Sequence, residues 1–407
     1  MVEGSETNRA GARDDTPSAV SDPTVRHPHE APFGPNLLRL TGGQWIVTAV
    51  LTIALLVLIP EFWPRVEPLH PGKDYRVPYR LGYDYWQYER YCRWACDRYE
   101  TVVLGDSVVW GHYVARDQTL THHLGEGAGR PRLANLSING IHPAAMAGLV
   151  ESYGRSITGR NVIVHCNLLW MSDPRRDLQR DKEFAFNHPR LVPQFYPRIR
   201  CYVESLSGRI GVLVERRVPI LGWANHLRIA YFDDTDIPMW TMEYPYDNPA
   251  GAVTLELPSP DEPPSPEPVA LPWTEQGINR IHPPWVELDG SFQWRSFRRV
   301  VDLLEDRGNR VFVIVGPFNE HMLEPESLSV YRERVETVRA WLVEREIPHA
   351  VPDALPSELF ADASHPLAEG YGRLARRLRE DESFIAFLRD DRTGGAGAVS
   401  PESGPVQ

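Results

Sequence analysis

The sequence predicts an α/β fold in three layers, helices on both sides of a mostly parallel sheet, preceded by one transmembrane helix. Three observations carry that expectation. From about residue 100 onward short apolar runs alternate with longer amphipathic ones, the pattern of parallel strands joined by crossover helices. Polar departures fall at the carboxyl ends of the short runs, the edge at which open α/β sheets bind ligands. Ahead of them "TGGQWIVTAVLTIALLVLIP", Thr41 to Pro60, contains no charged residue.

The 407 residues, 42% hydrophobic and 24% charged, have the composition of a globular protein with one large domain plus appendages. A formal charge of -12 argues against nucleic acid as a partner, since polyanion binders show a basic face or basic runs. Residues 1–40 are rich in small, polar and proline residues without apolar periodicity and read as a disordered tail, as do residues 391–407.

The uncharged run covers roughly 30 Å at helical rise, about the hydrocarbon thickness of a bilayer, and Trp45 and Trp63 stand where interfacial aromatics belong. A membrane span over 41–63 follows. The run lies far from the start with no small-x-small cleavage pattern after it, which disfavours a signal peptide. Arg26 and Arg39 precede the span, whereas Arg65, Lys73, Arg76 and Arg80 follow it, a count that places the large domain in the cytoplasm. Long domains translocate largely regardless of charge, so both orientations stay open at this point.

Residues 64–99 form an aromatic-rich juxtamembrane segment. Its run "YDYWQYERYCRW", 83–94, is either a sugar-stacking surface or, the stronger reading, a set of amphipathic rings packed on the domain or at the headgroup level. Cys92 and Cys96 share a helix face and read as small apolar residues packed inward; with Cys166 and Cys201 they are too few and scattered for a disulfide framework or a paired zinc site.

The domain itself is expected over 100–390. "TVVLGD" is a strand leading into a helix over "SVVWGHYVARDQTLTHHL"; "PRLANLSING" precedes the helix "HPAAMAGLVESYGRS"; "RNVIVHCNLLW" and "RVFVIVGPF" are buried strands. Before the latter, Phe297, Val300, Val301 and Leu304 recur on one helix face, with Gly308 as its stop. A further helix carries Val335, Val338 and Leu342, with Pro348 after it. From about 182 to 285 the alternation lapses. This insertion or lid holds the proline-rich acidic stretch 257–272, which fits neither helix nor sheet interior, and an amphipathic stretch, 201–224, sufficient for one or two helices, either a second membrane contact or, favoured by its embedded Arg and Glu residues, packed on the domain.

"GDS" puts Ser107 directly after the first strand. A serine hydroxyl is a weak nucleophile without a base and an orienting acid, and "DASHP" offers both: Asp362 and His365, two residues apart in one loop, ahead of a helix carrying Leu374 and Leu378. A histidine with one ring nitrogen facing a carboxylate is held in the tautomer that takes a serine proton. His112 and His142 lie close enough in sequence to border the same pocket. His122 and His123 should point to different faces of a helix, poor geometry for shared metal binding, and no histidine is assigned to a metal. "GPFNEHM" brings Asn319, Glu320 and His321 to the ligand-binding edge, either to position substrate or as a solvated loop.

"GDS" after the first strand, "NLSING" after the second, the Asn of "VIVHCNLLW" after the third and "DASHP" before the last helix come in the order found in the SGNH, or GDSL-type, esterases and acyltransferases, which the chain resembles over roughly residues 100 to 388 outside the insertion. The resemblance implies an SGNH, flavodoxin-like sheet, Ser107 as nucleophile, His365 as general base and Asp362 as its orienter. It implies an oxyanion hole from the amides of Ser107 and Gly140 and the side chain of Asn167, and no metal or organic cofactor. Asp106 is expected to brace the turn. One block departs from the family pattern: His165 replaces a glycine and Leu168 an aspartate around Asn167, and His165 itself reads as a packed, hydrogen-bonded residue or a contributor to the site.

Such a site performs acyl transfer, with water or a sugar hydroxyl as acceptor. One amino-terminal span before an SGNH domain is similar to membrane-anchored esterases and O-acetyltransferases of cell-envelope glycans, which implies an extracytoplasmic domain, a carbohydrate or other acyl ester substrate, and a multi-span membrane acyl-donor protein as partner. The competing class is a non-catalytic membrane-anchored module that binds glycans or assembly partners; the presence of Ser107, Asp362 and His365 together favours catalysis.

Overall fold

The structure, a computed structural model, describes residues 40–126, 133–180 and 187–389. The tails expected over 1–40 and 391–407 lie outside the described residues except for Leu40, as does the expected start of the insertion at 182. Contacts divide the chain into two units, Met1–Ala54 and Leu55–Gln407. The helix α1 (Gly42–Val66) runs through that boundary. Its 25 residues have a mean hydropathy of 2.2 over the most apolar stretch, 6% of which is buried, so it is long and apolar enough to cross a membrane.

The larger unit is α/β, built on five parallel strands: β1 (Thr101–Leu104), β2 (Leu133–Asn135), β3 (Asn161–Cys166), β4 (Arg310–Val315) and β5 (His349–Ala350). They stand in the order β2-β1-β3-β4-β5. The chain passes to one side of β1 for β2 and to the other for β3, so the crevice of this sheet opens beyond the carboxyl ends of β1 and β3. Sequence reading missed β5, which at two residues is too short to show a period.

Strand alternation sends Val102, Leu104, Val162, Val164, Val313 and Val315 to one face. There they pack with α2 (Tyr85–Arg98), α5 (Pro143–Ser152), α10 (Phe292–Glu305) and α11 (Pro325–Glu344). Val103, Ile163, Phe312 and Ile314 face the other way, toward α3 (Ser107–Trp110), α4 (Leu120–Gly125), α12 (Ala368–Glu380) and α13 (Glu382–Arg389).

The aromatic-rich segment 64–99 continues into this core. Asp84 caps α2 by accepting from the Gln87 amide, and Tyr85, Tyr88, Tyr91, Cys92 and Cys96 all lie on its buried side. The rings of Tyr85, Tyr88 and Tyr91 are consumed by packing, whereas Tyr83 is exposed and Trp86 and Trp94 are half-buried. All four cysteines are free thiols.

The long helix expected after β1 is broken. Gly111 adopts φ 91°, a left-handed conformation that closes α3 after one turn, and a Cβ there would lie 2.7 Å from Thr119 Cγ2. The chain resumes as α4, capped by Thr119. In the insertion α6 (Leu206–Glu215) and α7 (Pro219–Tyr231) match the two helices expected, and α8 (Ile237–Glu243) and α9 (Pro249–Ala252) follow. α7 packs on the domain by burying His226, Leu227, Ile229 and Ala230, whereas α6 packs on it through Arg209 and has no fully buried residue. Residues 257–272 form neither helix nor strand.

Candidate active site

Gly105 links β1 to the turn that carries Ser107. A Cβ on Gly105 would sit 2.5 Å from Val109 Cγ2 and 3.0 Å from the Cβ of His165, so only glycine lets α3 fold back this tightly against β3. Asp106 then caps α3 through the Val108 amide at 3.0 Å, and Ser107 becomes its first residue.

The loop before α12 brings His365 to it. Ser107 Oγ and His365 Nε2 are 2.8 Å apart, and His365 Nδ1 is 2.8 Å from both oxygens of Asp362. Asp362 Oδ1 also accepts the amides of Ser364 and His365, each at 2.9 Å, so acid and base are locked within one turn of chain. The Tyr113 hydroxyl donates to Asp362 Oδ2 at 3.3 Å. From α12 the Tyr371 hydroxyl donates to the Val108 carbonyl at 2.6 Å, tying the helix that follows His365 to the helix that carries Ser107.

Asn319 supports this loop from behind. Fully buried, it donates through its amide to Ala363 O at 2.9 Å and through Nδ2 to Asp362 O at 3.1 Å. Its role is neither of the two readings available from sequence. His321 bonds the Leu355 carbonyl and Glu320 pairs with Arg332. The insertion buttresses the same loop: the Trp273 amide donates to Phe360 O at 2.9 Å and Gln276 Nε2 to Ala361 O at 3.0 Å.

The electrostatics suit proton transfer. Burial by itself would raise the Asp362 carboxyl and depress the His365 imidazole, but their mutual attraction outweighs it, helped at Asp362 by two backbone amides. The carboxyl is held well below the usual carboxylate range, and His365 is raised above the ordinary histidine value.

Asp106 does more than brace its turn. Its Oδ1 accepts from the Val108 amide and faces His165 Nδ1 at 3.2 Å; its Oδ2 accepts from Asn167 Nδ2 and from Trp170 Nε1, both at 2.8 Å. Burial pushes this carboxyl up, yet His165 and these donors bring it down to about 2. The carboxylate thereby joins the turn that carries Ser107 to the end of β3. Trp170 was missed from sequence; its only signal is a tryptophan one short turn after Asn167.

Among the candidate oxyanion donors, Asn167 spends one side-chain N–H on Asp106 and retains a second. The amides of Ser107 and Gly140 have no acceptor among the described residues. The Gly140 segment adjoins the turn that carries Ser107 through Ile138 N to Gly105 O at 3.4 Å, and Asn139 Oδ1 meets His112 Nδ1 at 2.9 Å. His165 is packed and hydrogen-bonded, with its Nε2 buried and unmatched among the described residues.

The remaining histidines divide. The His112 ring centroid is 5.4 Å from that of His365, at the site. His142 is fully buried, capping α5, contacting Gln293 and lying with its ring centroid 5.7 Å from that of Trp170, and burial pushes it down to about 3. His122 and His123 do not diverge as expected: their ring centroids are 5.2 Å apart, because Glu126 lies four residues from one and three from the other and meets both. Ligand atoms of the three lie within 4.8 Å of one another, a spacing a metal ion could bridge.

No family model and no curated protein matches this chain.

Proposed function

We propose that the protein is a membrane-anchored serine esterase or O-acyltransferase of the SGNH type, acting through an acyl-enzyme on Ser107. The observation that carries this reading is the continuous contact from Ser107 Oγ through His365 to Asp362, all at 2.8 Å. The strand order and the position of Ser107 beyond the carboxyl end of β1 support it, since this is the crevice in which such sheets bind substrates.

In this mechanism Ser107 Oγ attacks an acyl carbonyl while His365 Nε2 takes its proton. The amides of Ser107 and Gly140 and the free N–H of Asn167 meet the oxyanion, each such donor being worth about 2.7 to 4 kcal/mol in the transition state. Collapse expels the donor alcohol, which leaves with the proton from His365. Water or a sugar hydroxyl then attacks the acyl-enzyme by the same route, and its proton returns through His365 to Ser107. No cofactor is called for.

The reading extends to α1 as a single membrane span and, from the resemblance, to an extracytoplasmic domain acting on acylated cell-envelope glycan with a multi-span acyl-donor partner. The third block, with His165 and Leu168, departs from the family and narrows the support to the first and last blocks. A serine-reactive fluorophosphonate tests the chemistry: the full-length protein in detergent should be labelled, and Ser107→Ala should not. A folded sample that takes no label, or a label that survives in Ser107→Ala, refutes it and leaves a binding module. Mass analysis after incubation with an activated acetyl donor, with and without oligosaccharide, separates hydrolysis from transfer.

A further inference from the structure

The helix α6 is amphipathic in the wrong sense for a water-soluble surface. Leu206, Ile210, Leu213 and Val214, spaced four, three and one residues apart, form a single stripe, and each is more than a third exposed. Val218 and Leu221 extend the stripe into the start of α7, equally exposed. The polar side turns inward instead: Arg209 donates to the carbonyls of Gln194 and Tyr202, and Arg216 to those of Arg190 and Val192. A helix that spends its arginines on the protein and shows its aliphatic side outward is built to meet an apolar medium.

Its position identifies that medium. The end of α1 from Pro60 on packs on α7: Trp63 meets Trp223 edge-on at 5.2 Å, and Glu67 Oε2 meets His226 Nε2 at 2.7 Å. Further toward the amino end of α1, Pro60, Glu61 and Pro64 share a cavity of about 480 Å³ with Glu215, Arg216 and Arg217. The carboxyl end of α6 therefore stands level with Pro60, where the uncharged run of α1 stops, the level of lipid headgroups if α1 spans a bilayer. Arg65, Arg93, Arg155 and Arg217 also line that cavity. Its acids are partly occupied, Glu215 by Arg190 and Glu89 by Arg93. Arg155 and Arg217 make no ion pair or side-chain hydrogen bond among the described residues.

We infer that α6 is a second membrane contact, its aliphatic stripe lying in the bilayer interface while the arginine-lined cavity beside it takes the headgroup of an anionic phospholipid. The inference rests on α1 spanning the membrane. Apolar burial and attraction to anionic lipid add in such interfacial helices, and the arginines supply the second component.

The test uses the full-length chain in nanodiscs of phosphatidylcholine and phosphatidylglycerol containing brominated acyl chains. With Cys201→Ala as background, a bimane label is placed at Ile210→Cys, at Ile53→Cys in α1, or at Val343→Cys on the exposed side of α11. Contact with the acyl boundary should halve emission, about twofold, at Ile210 and at Ile53 and leave Val343 unchanged. Quenching at Ile53 without quenching at Ile210 overturns the inference and spares the span; quenching at neither position overturns both. For the cavity, native mass spectrometry should find phosphatidylglycerol retained over phosphatidylcholine. That preference should fall about fivefold for each charge removed in Arg155→Gln and Arg217→Gln. Equal retention of the two lipids, or a preference unchanged in the double variant, overturns the headgroup assignment.

Discussion

His365 Nδ1 lies 2.8 Å from each oxygen of Asp362, so the carboxylate holds the ring proton on Nδ1 and leaves Nε2 free to accept from Ser107. Asp362→Asn removes the charge that selects this tautomer while keeping the shape. In serine hydrolases such a change costs about 10⁴ in kcat. The expected result here is a loss of that order in ester turnover with little change in KM, measured against a chromogenic acetyl ester.

The same contact sets the pH profile. His365 works as a base only when neutral, and Asp362 raises its pKa above the ordinary histidine value. The rate constant kcat/KM should therefore climb with pH and reach half its plateau above about 6.5, the unperturbed midpoint. In Asp362→Asn the raising influence is gone and burial remains, so the residual activity should show its acid limb displaced to lower pH. A limb that stays in place would mean that another group titrates.

Asp106 is the other carboxylate whose removal should be felt, and in a different currency. Asp106→Ala leaves His165 Nδ1, Asn167 Nδ2, Trp170 Nε1 and the Val108 amide without their acceptor in a buried place. Each stranded buried group costs about 1 to 3 kcal/mol. Partial rearrangement makes the whole loss smaller than the sum, about 3 kcal/mol, which thermal melting should register as a fall of the order of 10 °C or less. Because Asn167 loses its anchor, activity per folded molecule should drop as well.

Gly105 tests the packing of the turn itself. Gly105→Ala inserts a methyl 2.5 Å from Val109 Cγ2, beneath a helix that cannot retreat without moving Ser107. Overpacking of this kind costs about 1 to 3 kcal/mol. Fluorophosphonate labelling should slow more than melting temperature alone accounts for, because the displaced atom is Ser107 Oγ.

What could be read from sequence was local. Asp362 and His365 share one turn, and Ser107 comes soon after a strand whose last three residues are apolar, so each was recognisable from its immediate neighbours. The role of Asp106 was visible only as a brace, since three of its four partners come from residues 165 to 170, brought beside it by the β1–β3 pairing. Asn319 was placed at the right edge, but which way its amide points depends on the distant loop at 362. The helix break at Gly111 hid inside a periodic run because a glycine in such a run is usually tolerated. In α6 the apolar spacing was evident, whereas the face it buries is a tertiary property that periodicity does not encode.

The buried cluster beneath α1 gives a final prediction about stability. His226 is sandwiched between Glu67 and Asp84, at 2.7 and 2.6 Å, with Arg90 also on Glu67. Burial opposes the charged imidazole, but the two carboxylates raise it to about 9; burial likewise opposes the Glu67 carboxylate, which His226, Tyr231 and Trp63 bring down to about 2. For the raised histidine the stabilisation is complete below its unfolded value of about 6.5 and disappears as pH rises through about 9, amounting to on the order of 3 kcal/mol. For the lowered glutamate it is complete above about 4.5 and disappears as pH falls toward 2. The cluster's own contribution to the melting temperature should thus be flat between about pH 5 and 6.5 and decline from there to pH 9, while His142, held down to about 3 by burial, adds a separate loss as pH falls below about 6.5. His226→Gln should lower the melting temperature near pH 6 and shrink the alkaline decline to the share that His365 contributes, because a neutral amide has no proton to lose. A decline of equal size in the variant would assign the alkaline loss to other groups and leave His226 neutral in the fold.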